Sequence, residues 1–142
     1  MPDILHRVGI QASGEAVFRA LTTTEGLSHW WVAGTTGDPG QGGVIAFGFI
    51  DARVLEARPF DLVRWTCARG PEEWLGTEIT FRLRDAEDQT WVLFTHAGWR
   101  EPVEFMHHCS TKWATFLLSL KDLLEKGEGR PAPDDVKIHI GD

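Results

Sequence analysis

Cysteine is scarce in this chain and badly placed for cross-linking. Only Cys67 and Cys109 occur in 142 residues, and neither sits in a Cys-x-x-Cys pair. A disulfide framework or a cysteine zinc site needs more thiols at closer spacing. The two are expected to be buried, reduced thiols. Positive charge is also in short supply: Lys and Arg number 14 against 21 Asp and Glu, for a net charge of -7 and a pI near 5.3. No Lys/Arg cluster stands out, which argues against phosphate backbones and anionic membranes as partners. No apolar run approaches the ~18 residues of a membrane span. Met1-Pro2-Asp3-Ile4 lacks the basic stretch and apolar run of a secretory signal, so a cytoplasmic protein is expected. Hydrolase signatures such as Gly-x-Ser-x-Gly and His-Glu-x-x-His are missing as well.

What is abundant is tryptophan. Seven Trp and eight Phe accompany no Tyr. Trp buries much area at small entropic cost, so such a set either fills a core or lines a pocket. The length corresponds to one domain, and the 42% hydrophobic content is ordinary for a globular chain.

Ile4 to Ala12 alternates, with Ile4, His6, Val8 and Ile10 on one face of a half-buried strand. Ser13 can cap a helix carrying Val17, Ala20 and Leu21, and Thr24 a second with Leu27, Trp30 and Trp31. Six glycine and proline residues make Ala33–Gly43 a loop. It lacks the Gly-Lys-Ser/Thr ending of a phosphate loop. Short strands follow at Val44–Ile50, Ala52–Ala57, Leu62–Ala68, Thr77–Arg84 and Thr90–Ala97, with turn signals between them. That spacing predicts an antiparallel meander. Thr77, Ile79, Phe81 and Leu83 share one face, as do Val92, Phe94 and His96, so one side of the sheet is covered.

The clearest periodicity comes last. From Pro102 to Lys126, nine apolar residues between Phe105 and Leu124 fall in an arc of about 120°, with Leu118 opposite. Gly127 suits the stop of a helix roughly 37 Å long. Only the sheet is large enough to cover it. This places one α+β domain over residues 1–127. Residues 128–142, rich in Gly, Pro and Asp, are expected to be poorly ordered, or to add an edge strand at Val136–Ile140 through which two copies could pair.

The order strand, two helices, strands, long helix is that of a helix-grip fold. The stretch Ala12-Ser13-Gly14-Glu15-Ala16-Val17-Phe18-Arg19-Ala20-Leu21-Thr22 with Glu25-Gly26-Leu27 and Trp30-Trp31 resembles the opening of one family. So do Val54–Pro59 leading into Leu62–Thr66, Thr95-His96-Ala97-Gly98-Trp99, and Leu117–Gly127. The family is that of homologues of the activator of heat-shock protein 90 ATPase, in the START-related (SRPBCC) superfamily. Gly14 stands where members often carry proline. The resemblance implies a curved antiparallel sheet around the C-terminal helix. It carries over no catalytic set, because the superfamily uses one architecture for many jobs.

A long helix over a curved sheet leaves room for an apolar pocket. By alternation Trp65, Cys67, Phe81, Phe94 and His96 should line it from the sheet, and Met106, Cys109, Trp113 and Leu117 from the helix. Trp30 and Phe47 should close one end, with Trp74 as a lid. His96 is the residue best suited to orient a ligand or accept a proton. Glu56 is expected on the surface. Adjacent His107 and His108 point about 100° apart and are expected in solvent, so no metal or cofactor site is read. The leading expectation is non-enzymatic binding of a small apolar or aromatic molecule. Two alternatives stay open: a polyketide cyclase-like or dehydratase-like enzyme using His96, and an interaction module with a chaperone partner.

Overall fold

The computed structural model describes residues 1–142. The first strand, β1, spans Ile4–Ile10, and two helices follow at Gly14–Leu21 (α1) and Thr24–Trp30 (α2). Ser13 accepts the Ala16 N–H at 3.1 Å and caps α1 as expected. The second cap is Thr23 rather than Thr24: its hydroxyl accepts the Gly26 N–H at 3.0 Å. Either threonine can serve chemically, and Thr23 has the extended backbone a cap needs.

Strands β2 (Thr36–Gly37), β3 (Val44–Ala46), β4 (Asp51–Arg58), β5 (Leu62–Arg69), β6 (Glu78–Asp85) and β7 (Thr90–Ala97) complete one antiparallel sheet. Its order is β1-β7-β6-β5-β4-β3-β2. Register shifts at Asp51/Ala52 and Val54/Glu56 bend the β4–β5 pair. The loop expected at Ala33–Gly43 contains the two-residue β2, and the strand expected over Val44–Ile50 stops at Ala46. Beyond it Phe47 N–H closes a turn onto Ile50 C=O, with Gly48 at φ 92°.

Alternation sets the covered face. Ile79, Phe81, Leu83, Val92, Phe94 and His96 are all buried. Helix α3 (Glu104–Lys126) lies on them and buries Cys109, Trp113, Phe116, Leu117, Ser119 and Leu120, while Leu118 points away, 52% exposed. Two polar ties lock α3 onto the edge strand β1. His6 Nε2 bonds the Ser110 carbonyl at 3.0 Å, and Lys121 Nζ donates to Gly9 C=O at 2.6 Å. Gly127 ends α3 in the left-handed region at φ 84°.

The chain after α3 differs from expectation: Val136–Ile140 forms no strand, and residues 128–142 fold back along α3. Gly129 sits where a Cβ would lie 2.4 Å from His29 C=O, so only glycine allows this approach. Ser119 accepts the Arg130 N–H and donates to Trp30 C=O, joining α2, α3 and the returning chain. Ala132 then pairs with the α2 exit, its N–H donating to Trp31 C=O and its C=O accepting from Ala33. Lys112 on α3 anchors the rest through Asp135, Asp142 and Val136 C=O. Composition reads as disorder here because the apolar contribution is small. The order comes from Ser119, the backbone bonds of Ala132 and one largely buried lysine, which no local pattern announces.

Candidate functional site

A cavity of about 250 Å³ opens between the middle of α3 and the α2 exit. Trp31, Val32 and Ala132 form one side, Cys109, Trp113 and Phe116 the helix side, and Trp74 the far end. Phe49, Phe105, His108 and Lys112 rim it, Phe49 being 46% exposed at the wet side. Nine of the eleven lining residues are hydrophobic, and of the two polar ones Lys112 is already bonded to Asp135, Asp142 and Val136 C=O, which leaves His108 to meet a polar group.

Trp74, Cys109 and Trp113 are the three residues of the expected twelve that reach this wall. Trp30, Trp65, Cys67, Phe81, Phe94 and Leu117 stand in the packed core instead, and His96 is buried beside them. Phe47 is buried against Trp31, ring centroids 4.3 Å apart. Met106 is half-buried and faces a separate shallow groove beside Ile4 and Pro102. The reason is the aromatic bulk itself. Trp31 lies 5.9 Å from Trp65 with the rings parallel within 4°, and 4.8 Å from Trp113. Trp113 in turn covers Phe94 at 4.5 Å. Alternation places Trp65, Phe81 and Phe94 on the inward face correctly, but the tryptophans above them take the space a ligand would need.

His96 is sealed the same way. It is fully buried, and both ring nitrogens are engaged. The Trp113 indole N–H can only donate, and it reaches His96 Nδ1 at 3.1 Å. The proton must therefore sit on Nε2, which donates to Thr77 Oγ1 at 2.8 Å; that hydroxyl donates on to Trp74 C=O at 2.6 Å. Burial pushes the imidazole pKa down to about 3. His96 is a neutral strut joining β6, β7, α3 and the Trp74 turn, out of reach of a cavity ligand.

Both thiols are free and buried. Burial pushes Cys109 up to about 11, and Trp74 N–H points at its sulfur from 3.4 Å. A protonated thiol so placed is wall, not nucleophile. Glu56 is on the surface as expected, paired with Arg58 and Arg64 at 3.4 and 3.8 Å. The indole N–H groups of Trp65 and Trp99 are buried without a hydrogen-bond partner. Each stands directly behind a wall residue, Trp65 behind Trp31 and Trp99 behind Trp74 and Phe105.

The remaining lining residues were missed by sequence reading, and they come from four places. Trp31 and Val32 follow α2, Phe49 follows β3, Phe105, His108, Lys112 and Phe116 lie on α3, and Ala132 belongs to the returning chain. Lys112 falls beside the apolar arc. Burial opposes its charge, but hydrogen bonds to Asp135 and Asp142 outweigh that and raise its pKa. His107 is exposed as expected, whereas His108 is half-buried and stacks on Phe105 with centroids 5.8 Å apart.

A seven-stranded antiparallel sheet against one long C-terminal helix, with two short helices after the first strand, defines a helix-grip protein of the START-related class. Within that class the chain belongs to the family described as Activator of Hsp90 ATPase homolog 1-like protein, whose model matches residues 11–125. It is similar to the Aha1 of Colwellia psychrerythraea, solved in solution as a dimer: 48% identity, TM-score 0.83, covering 91% of this chain and all of that one. SSP2350 from Staphylococcus saprophyticus (22% identity, TM-score 0.78, 92% of this chain and 98% of that one) shares the fold. So does CalU16 from Micromonospora echinospora (22%, TM-score 0.76, 92% and 77%). No curated protein matches the chain. No helix is long and apolar enough to cross a membrane.

Proposed function

We propose that this protein binds a small aromatic molecule, of one or two rings, in the cavity bounded by Trp31, Trp74 and Trp113. The observation that carries this reading is the cavity itself: about 250 Å³ of space with an almost wholly apolar wall. An engineered apolar cavity of about 150 Å³ holds benzene, and drug-sized sites begin near 300 Å³. The space therefore suits a monocyclic or bicyclic ring and excludes a sterol or a long acyl chain. Burying ~150–200 Å² of ring at roughly 25 cal/mol per Å² supplies about 4–5 kcal/mol, a Kd of ~0.2–1 mM before any polar contact. His108 stands where a ligand's hydroxyl would add to that, whereas the three Lys112 N–H donors are already taken by Asp135, Asp142 and Val136 C=O.

A cyclase-like or dehydratase-like reaction finds no support at His96, whose nitrogens are both occupied and whose proton affinity is low. The interaction-module reading keeps one specific support, the family match itself. The dimeric Colwellia relative likewise favours self-association as the first partner to test.

The deciding experiment is a titration of the intrinsic tryptophan fluorescence with indole-sized, naphthoquinone-sized and sterol ligands. Saturable quenching by the small rings, weakened in Trp74→Leu, is the expected result. A flat response to the small rings, or equal quenching in Trp74→Leu, overturns the proposal.

A further inference from the structure

We propose that His108, His139 and Asp142 form a site for a zinc-class divalent metal ion that clasps the returning chain to α3 at the edge of the cavity. One ligating atom from each lies within 4.8 Å of the other two. Zinc held at about 2.0–2.1 Å from each ligand sets neighbouring ligands ~3.3 Å apart, so small side-chain rotations complete the site.

Two further features prepare these groups for a metal. His139 Nδ1 lies 2.8 Å from Ile140 C=O and donates to it, which fixes the tautomer and leaves the Nε2 lone pair free. A backbone carbonyl behind the distal nitrogen is the usual support of a metal-bound imidazole. On Asp142 both contacts, from Ile138 N–H at 2.8 Å and Lys112 Nζ at 2.9 Å, fall on Oδ2, leaving Oδ1 for the ion. His108 is held from the opposite side by its stack on Phe105. The Lys112 ammonium opposes a cation here, and its sharing between Asp135 and Asp142 limits that opposition. Two imidazoles and one carboxylate select zinc, nickel or copper over magnesium or calcium. Three protein ligands leave a position for water. Since Ala132 belongs to the same returning chain and walls the cavity, the ion would also hold that wall in place.

The test is calorimetric titration of the full chain with Zn²⁺, paired with the visible absorption of Co²⁺. One ion per chain is expected, with no heat from Mg²⁺. His108→Ala and His139→Ala should each weaken Zn²⁺ binding at least about tenfold, and His107→Ala should leave it unchanged. His139 is exposed, so His139→Gln reports even where a change at His108 disturbs folding. Absence of Zn²⁺ binding at millimolar metal, or equal affinity in wild type and His139→Gln, overturns the proposal.

Discussion

The two ends of Trp113 face different worlds. On its sheet side, Phe81, Phe94, Trp65 and His96 form a sealed aromatic block in which both His96 nitrogens are satisfied. On its other side, Trp74, Phe105, His108, Lys112 and the returning chain surround a cavity half open to water. One helix and the same residue types thus make a core on one side and the wall of an open cavity on the other. The difference is what closes each region. Sheet alternation closes the first, with β5, β6 and β7 each turning rings inward. A strap of 15 residues closes the second, held by Ser119, Lys112 and a few backbone bonds.

Breaking the sealed side should cost most. Trp113→Ala should destabilise the fold by about 3–5 kcal/mol in urea denaturation, since it opens a large void and strands His96 Nδ1. A loss under ~1 kcal/mol would mean that the block tolerates a hole.

Breaking the strap should cost somewhat less. Lys112→Met leaves the buried Asp135 carboxylate with only Lys137 as a charged partner. A loss of about 2–4 kcal/mol is expected, with faster proteolytic cleavage after residue 127. Retained protease resistance would show that the backbone bonds of Ala132 suffice.

A pH series sharpens the comparison further. The His96 pKa of about 3 lies below the ordinary value of 6.5, so between these limits the unfolded chain binds a proton that the folded chain refuses. Stability is therefore present above pH 6.5 and is lost as pH falls toward 3, at up to about 1.4 kcal/mol per pH unit. Carboxylates with lowered pKa, Asp135 and Asp142 among them, add losses of the same sign lower in the range. His96→Asn should thus be less stable at pH 7 but flatter between pH 6 and 4 than wild type. Parallel curves would show that His96 takes up a proton without unfolding.

The smallest effect belongs to the rim. Phe49→Ala removes a half-exposed ring and should change stability by no more than ~0.5 kcal/mol. Small-ring affinity should nonetheless fall about threefold to fivefold in the fluorescence titration. Unchanged affinity would move the ligand's entry away from Phe49.

Much of the fold was legible in the chain. The alternation of β6 and β7, the Ser13 cap, the Gly127 stop and the exposed position of Leu118 are local consequences of pattern. The site was far less so. Alternation gives the face of a strand residue but not the height of the ring stacked above it. His96 therefore read as ligand-facing when Trp113 and Trp74 cover it.

By itself the sequence determined the sheet, the helix face and the family, because periodicity and caps act over a few residues. Tertiary structure alone decided where space remains and which polar groups border it. Val32, Phe49, Lys112 and Ala132 meet only after the chain turns back along α3, and His108, His139 and Asp142 meet only with it. Those encounters depend on Gly129 admitting close approach and on Lys112 neutralising the buried Asp135 carboxylate, physics that operates between distant parts of the chain.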